Sequence, residues 1–310
     1  VTILRIPQVK VLFKNQNILT DFIQKSWQKI HRWWFMFRLI PYFRQATIVQ
    51  VHDVFWWILP MWWLIPSPVY MTFHGYEREL GPTLKQQRWH QIAAALTDGS
   101  LGIGGFHTKW YGVEPTLVSY GAVSTQDMES SSQEVTDNRV HIVFIGRLAH
   151  LTGAQQLIDA VAQLSESDRL HLRVSIYGGG DSLEEMRERV AFDHLPITLF
   201  GFQPDARNTL QAADIVCVSQ YLAILEALVV GKPIVSFAGS DFKEAVLTTT
   251  PYKDALTITR SVSELKRYLE TAIQKNNVQQ PSKEIVDWAK KQTWRSMTDM
   301  YYTLWKSTQG

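Results

Sequence analysis

VHIVFIGRLAHLTGAQQLIDAVAQLS (140–165) and LHLRVSIYGGGDSLEEMRERVAF (170–192) are the stretches that decide the fold. Each opens with a short run rich in apolar and β-branched residues, Val140–Ile145 and Leu170–Tyr177. Each then turns through glycine into a segment whose apolar residues recur three and four apart. Gly153–Ser165 and Asp181–Phe192 therefore read as helices following strands. The alternation continues with strand Ile197–Phe200, helix Asp205–Ala212, strand Ile215–Ser219, helix Ile224–Val230 and strand Pro233–Phe237. Strands alternating with helices imply right-handed crossovers and a parallel sheet with helices on both faces. Two further helical stretches, Ser261–Lys275 and Ser282–Lys306, close the chain.

Upstream the pattern is less regular. Thr20–Ile40 reads as a helix in which Ile23, Trp27, Ile30, Trp34 and Phe37 form one apolar stripe, with Lys25, Lys29 and Arg32 on another face. Strands are expected at Thr47–His52, Val69–His74, Leu101–Ile103 and Thr116–Ser119, and a helix at Gln86–Leu96. Residues 124–138 are polar and lack a buried pattern, as a linker does. The 310 residues thus divide into a first domain at 1–123, a linker at 124–138, a second domain at 139–281 and closing helices at 282–310. Composition supports the division. Residues 1–123 hold 12 Lys/Arg and 6 Asp/Glu, whereas 124–310 hold 19 and 23. Of the 12 Trp, nine lie at or before Trp110 and three at or after Trp288. A basic, aromatic lobe and an acidic lobe point to different partners.

Several classes are disfavoured. A single Cys, Cys217, excludes a disulfide framework and any multi-Cys metal site, and the nine His include no HxxxH pair. No metal is expected. There is no GxGxxG after a strand, no GxxxxGK[ST] and no GxSxG, so neither a dinucleotide fingerprint, a P-loop nor a nucleophile elbow is present. No nucleic-acid module is visible and the net charge is only +2, so nucleic acid is not an expected partner. No segment reads as a signal peptide. The longest uncharged run, Val54–His74, is broken by Pro60, Pro66 and Pro68 and is not read as a membrane span.

The candidate site residues sit at strand ends. GRLAHLTG (146–153), YGGGDSLEE (177–185) and the Gly201–Phe202 turn are strand-to-helix junctions, where open α/β sheets bind ligands. Helix amino termini there suit phosphate, although glycine in such turns often serves the turn alone. Arg147 follows its strand directly and has the planar fork that fits phosphate oxygens; a surface ion pair is the plainer alternative. Glu226 is placed in the first turns of an apolar helix, where it either meets the helix dipole or accepts bonds from ribose hydroxyls. His74, ending a strand before Gly75, can bond a sugar hydroxyl or simply pack; His52 and Asp53 form a similar strand end. The basic Trp-striped helix is either core or an interfacial helix drawn to anionic lipid.

In order, IGRL, TG opening a helix, VSIYGGGDSLEEMRE, ITLFGFQPDARNTLQAADIVCVS and LEALVVGKPIVSF resemble the donor-binding domain of family-4 (group 1) glycosyltransferases. VHDV, TFHG, IGGFHTKW and VSYGAV resemble that family's first domain, and DWAKKQTWRSMTDMYYTLW its closing helices. The resemblance implies a GT-B fold: two Rossmann-like domains across a cleft, with C-terminal helices crossing back to the first. It implies a usually retaining transfer from a nucleotide sugar, UDP- or GDP-linked, without a cofactor. The donor site would comprise Gly146, Arg147, Thr152, Gly153, Gly178, Gly179, Gly201, Phe202 and Glu226. His74, Arg147 and Glu226 would be the catalytic set, with Arg147 on the diphosphate, Gly201–Phe202 bordering the base, Glu226 on the ribose and His74 facing the sugar. The acceptor would be a glycan or lipid-linked glycan at the cytoplasmic membrane face, with residues 20–44 touching anionic lipid.

The chain departs from the family pattern in three places. Thr152 stands where the family has Lys five residues after the Arg, a missing cation for which Lys232 or Lys109 would have to compensate. Val218 stands where the first of two paired Glu belongs, and Ser219–Glu226 looks about four residues short. The family's opening strand and Gly-rich loop are not found in the sequence from Val1 onward. A degenerate transferase serving as a binding subunit is therefore a second reading, and a nucleotide-sugar epimerase a third. The last three Trp are expected to join the first nine in one lobe.

Overall fold

The computed structural model describes residues 18–75, 80–124, 138–149, 152–274 and 278–306. The expected linker at 124–138 lies, apart from its ends, outside them, as do His150 and Leu151 of the GRLAHLTG junction.

The first lobe runs α1 (Ile18–Phe37), α2 (Ile40–Gln45), β1 (Val49–His52), α3 (Phe55–Ile58), a 3-10 helix (Leu59–Leu64), β2 (Val69–Phe73), α4 (Leu84–Leu96), β3 (Gly99–Ile103), α5 (His107–Tyr111) and β4 (Leu117–Ser119). Its four strands pair in parallel in the order β1-β2-β3-β4. All five β2 residues are buried, as a strand covered on both faces requires. The expected helix at Gln86 starts two residues earlier, because Thr83 and Gln86 form a reciprocal capping box.

The second lobe runs β5 (Val140–Ile145), α6 (Ala154–Ala162), α7 (Glu166–Leu170), β6 (Leu172–Tyr177), α8 (Leu183–Phe192), β7 (Ile197–Gly201), a 3-10 helix (Ala206–Ala212), β8 (Ile215–Cys217), α9 (Tyr221–Val229), β9 (Ile234–Phe237), α10 (Asp241–Thr248), β10 (Leu256–Thr259) and α11 (Val262–Ile273). Strand order β10-β9-β8-β5-β6-β7, all parallel, is a doubly wound sheet that reverses direction between β5 and β8. α10 and β10 have no counterpart in the sequence reading. Ser240 caps α10 by accepting from the Lys243 N–H, and Leu256–Thr259 adds the sixth strand against β9.

The stretch expected as one helix from Ser282 breaks at Gln292–Thr293. It forms α12 (Lys283–Lys291) and α13 (Trp294–Lys306), the latter started by the Ser296 N–H bonding Thr293 Oγ1 at 3.1 Å. α12 stays on the second lobe, with Ala289 buried there and Trp288 against Tyr252. α13 crosses to the first lobe's sheet. Leu304 packs with Tyr70 and Leu101, Tyr301 bonds Thr72 at 2.9 Å, and the Trp305 indole donates to Gln50 at 3.0 Å. The expectation that all twelve Trp join one lobe is therefore corrected: Trp288 belongs to the second lobe's core, and Trp294 is 60% exposed.

The α1 stripe is not core. Trp27, Ile30 and Trp34 are 46%, 59% and 54% exposed, and Ile23 and Phe37 also face solvent. The helix reaches the core through Met36 and Phe35 near its end. Arg38 lies over the Trp34 ring at 4.8 Å and Arg32 over Trp57 at 4.6 Å. Among the described residues, no helix is long and apolar enough to cross a membrane.

Candidate active site

The carboxyl ends of β5, β6 and β7 are stitched together by backbone bonds. Gly146 N–H donates to Tyr177 at 3.1 Å, Gly178 N–H to Gly201 at 2.9 Å, and Leu148 N–H to Gly179 at 2.9 Å. Gly146, Gly178, Gly179, Gly201 and Phe202 thus gather on one edge. Gly178 is obligatory in that arrangement: at φ +156° a Cβ would lie 1.8 Å from the Gly146 carbonyl oxygen. Arg147 is solvent-exposed beside this edge, and Phe202 stands 75% exposed next to Gly179. An exposed aromatic ring beside a glycine edge offers a flat face for a planar ligand.

Gly153 caps the amino end of α6 and lies beside Ser219, so this helix terminus opens at the point where the sheet reverses. Helix termini there carry free N–H groups and a positive dipole end. Thr152 does not replace a lysine. Its hydroxyl folds back onto Ala149, donating to the carbonyl at 2.9 Å and accepting from the N–H at 3.4 Å. Lys232 lies just before β9 begins, on the amino edge of the sheet, so it is remote from this site. Lys109 is exposed on α5 of the first lobe. A buried lysine unforeseen from the sequence does reach the carboxyl edge: Lys243, 6% exposed, donates through Nζ to the Ser219 carbonyl. It sits in α10, which the sequence reading had not recognised as an element.

Glu226 is not in the first turn of its helix. α9 starts at Tyr221, which makes Glu226 its sixth residue, about 7.5 Å along the axis. The helix dipole thus has little hold on it. Partial burial raises its pKa above the usual carboxylate value, partly offset by the Arg207 guanidinium in the 3-10 helix after β7. Only Val218, Ser219 and Gln220 separate β8 from α9. Val218 itself is fully buried.

On the first lobe, His74 is exposed at the end of β2. Its backbone N–H donates to Asp53 Oδ1 at 2.8 Å, and its Nε2 lies 3.3 Å from His52 Nδ1. Asp53 holds a left-handed φ of +56°, a conformation Asp tolerates and one that turns its carboxylate back onto β2. Burial, then the neighbouring His74, lowers the His52 pKa. The sequence reading paired VHDV with TFHG as similar strand ends; the structure joins them directly. It adds His107, which sequence reasoning missed, buried and pushed down to about 4, chiefly by desolvation.

The two carboxyl edges face each other. Gly104, after β3, packs against the Tyr221 ring, and Gly121 against Leu222. Phe106 and Trp110 meet Phe242 edge-on at 5.4 and 5.0 Å, and the Tyr120 hydroxyl donates to the Thr249 carbonyl at 3.3 Å. The short β8–α9 connection is what lets Tyr221 and Leu222 touch the first lobe. Among the described residues no cluster of three His, Cys, Asp or Glu has metal-ligand geometry.

Two parallel α/β lobes with opposed carboxyl edges and a final helix crossing back define the architecture as a GT-B fold. More particularly, residues 139–275 match the sequence profile of the family Glycosyl transferases group 1. Among solved structures, the chain is similar to Anabaena HepE in complex with UDP, at TM-score 0.64 and 15% identity over 86% of this chain and 81% of that one. It is similar to the lipopolysaccharide outer core galactosyltransferase WaaB at TM-score 0.60 and 13% identity, over 90% and 79%. A glycosyltransferase from Rickettsia africae aligns at TM-score 0.63 and 14% identity, over 95% and 83%. No curated protein matches the chain by sequence.

Proposed function

We propose that the chain transfers a sugar from a UDP-sugar to an acceptor held by the first lobe, with retention of configuration and without metal or cofactor. The observation that carries this is the glycine-stitched edge of β5, β6 and β7 beside the α6 amino terminus, with Arg147 at its rim. HepE, of like fold, is known in complex with UDP, which favours uridine over guanosine. In this reading Arg147 and the α6 terminus hold the diphosphate. Gly201–Phe202 border the base, Glu226 accepts from the ribose hydroxyls, and His74 faces the sugar. As the bond from the anomeric carbon to the phosphate breaks, its electron pair leaves on the diphosphate and the sugar turns cationic. Fixed N–H groups and the guanidinium stabilise that charge in place of an ion. The exposed α1 stripe with Lys29 and Arg38 rests on an anionic membrane, as a cytoplasmic envelope enzyme acting on lipid-linked glycans requires.

Titration calorimetry with UDP tests the donor site. Binding is expected, unchanged by EDTA, and Arg147→Ala should weaken it about tenfold or more, the value of a charge-assisted bond. No UDP binding refutes the reading. Thr152 turned inward and Val218 in place of a carboxylate favour a second reading, a binding subunit without turnover. Sugar release or transfer from UDP-sugar by the purified chain alone rules that out.

A further inference from the structure

The first lobe holds a cavity that the donor-site reading does not use. It measures about 590 Å³, within the range of small-molecule sites, and lies between α1, α3 and α4 over β2. Its walls are largely apolar and include Trp33, Phe55, Trp56, Met71, Phe73 and Trp89. Among the described residues, three cations, Lys29, Arg32 and Lys85, line it against one acid, Asp53. The first turn of α4, which carries no acid, lines it as well and adds the positive end of that helix. His90 is 5% exposed on the cavity wall and its Nε2 has no hydrogen-bond partner among the described residues.

Two features give the cavity a direction. Trp33 and Trp56 belong both to its lining and to the exposed aromatic surface continuous with the α1 stripe. At the sheet edge, Asp53 both lines it and accepts the His74 N–H at 2.8 Å. The cavity therefore joins an exposed aromatic face to the edge that meets the donor lobe. An all-apolar ligand would leave the three cations at the rim without a counter-charge, and a free anion would leave the aromatic walls uncovered.

We propose that this cavity binds an amphiphile with a phosphate head, the hydrocarbon against Trp33, Trp56 and Trp89 and the phosphate at Lys29, Arg32 and Lys85. Its role as acceptor site rests on the transferase reading above. Its binding does not. In that role the lipid enters from the α1 face and presents its head group toward Asp53 and His74.

The test uses the full chain and dodecyl phosphate below its micelle concentration, followed by tryptophan fluorescence and calorimetry. Dodecyl phosphate should bind at least tenfold tighter than dodecyl maltoside and than inorganic phosphate. The double variant Lys29→Glu/Lys85→Glu, at two exposed positions, should weaken it at least tenfold while UDP affinity stays unchanged. Ala93→Phe, which fills the cavity from α4, should abolish it. UDP binding without dodecyl phosphate binding overturns the cavity assignment and leaves the donor reading standing; the reverse result does the opposite. Equal affinity for all three probes overturns it, as does tight binding indifferent to the variants. Self-association of the chain that the same variants dissolve would assign the cavity to a second copy instead.

Discussion

Acid should weaken this protein through His107. The ring is fully buried, and its Nδ1 lies 3.0 Å from the Gly104 carbonyl oxygen, so the neutral ring carries its proton there. Nε2 has no partner among the described residues and sits against Gly75, where a Cβ would be only 2.6 Å away. A second proton would create a buried N–H without an acceptor, in a ring packed on Phe106 at 4.3 Å. The pKa accordingly falls from 6.5 to about 4. The unfolded chain binds this proton below pH 6.5 and the folded one does not, so stability is full above that value and is lost as pH falls toward 4. The slope is about 1.4 kcal/mol per pH unit, giving a loss of about 2.5 kcal/mol between pH 7.5 and 4.5. Urea denaturation of the wild type and His107→Phe at both pH values measures it. The variant starts less stable, because it loses the Gly104 bond, but its decline with acid should be smaller by that amount. Parallel declines in the two proteins would refute the reasoning.

Three further outcomes are expected. Gly178→Ala should cost about 3 kcal/mol or more in denaturation, or prevent folding of the second lobe, because the Gly146 carbonyl occupies the methyl site. Glu226→Gln should raise the denaturation midpoint at neutral pH, since burial holds this carboxyl above its ordinary pKa and the folded state favours its neutral form. That gain should shrink as pH falls through the carboxylate range. The same variant, which keeps one acceptor oxygen but loses the charge, should reduce any preference for UDP over 2′,3′-dideoxy-UDP in calorimetry, and an undiminished preference would remove Glu226 from the ribose. Anionic liposomes should bind the chain in flotation assays. Trp27→Ala/Trp34→Ala should reduce binding severalfold, and 0.5 M salt should weaken what remains.

The second lobe was readable because each of its early strands is followed at once by glycine and a helical period, all within about 30 residues. α10 and β10 escaped that reading. SDFKEAVL is only two turns long, and LTIT has too few apolar residues to mark a strand. The α1 stripe was read correctly as a pattern, but periodicity reports that a helix has an apolar face and not what the face meets. Gly146, Gly178 and Gly201 stand out in the sequence as glycines at strand ends, but the close approach of the Gly146 carbonyl to Gly178 is set by the pairing of two strands. The start of α9 lies three residues before the Ile224 expected from the sequence, because Gln220 and not a later residue remains extended, at φ −118° and ψ 142°, which the apolar run does not reveal. Lys243 and His107 gained significance only from tertiary burial. The connection before Glu226 reads as short in the sequence, but the contact of Tyr221 with Gly104 needed both lobes in view.

The crossing of α13 also sets the order in which the chain can be completed on a ribosome. Tyr70 and Leu101 in the first sheet receive their cover from Leu304 and its neighbours, close to the end of the sequence. Roughly 180 residues must be added between β4 and α13, which at 5–20 residues per second takes about 10–40 s. For that interval one face of the first sheet has no native cover, although its strands are already made. A nascent chain in this state is a substrate for holding chaperones. Loss of the last dozen residues would leave every copy there permanently, with the donor-site residues all present and the first lobe unfinished.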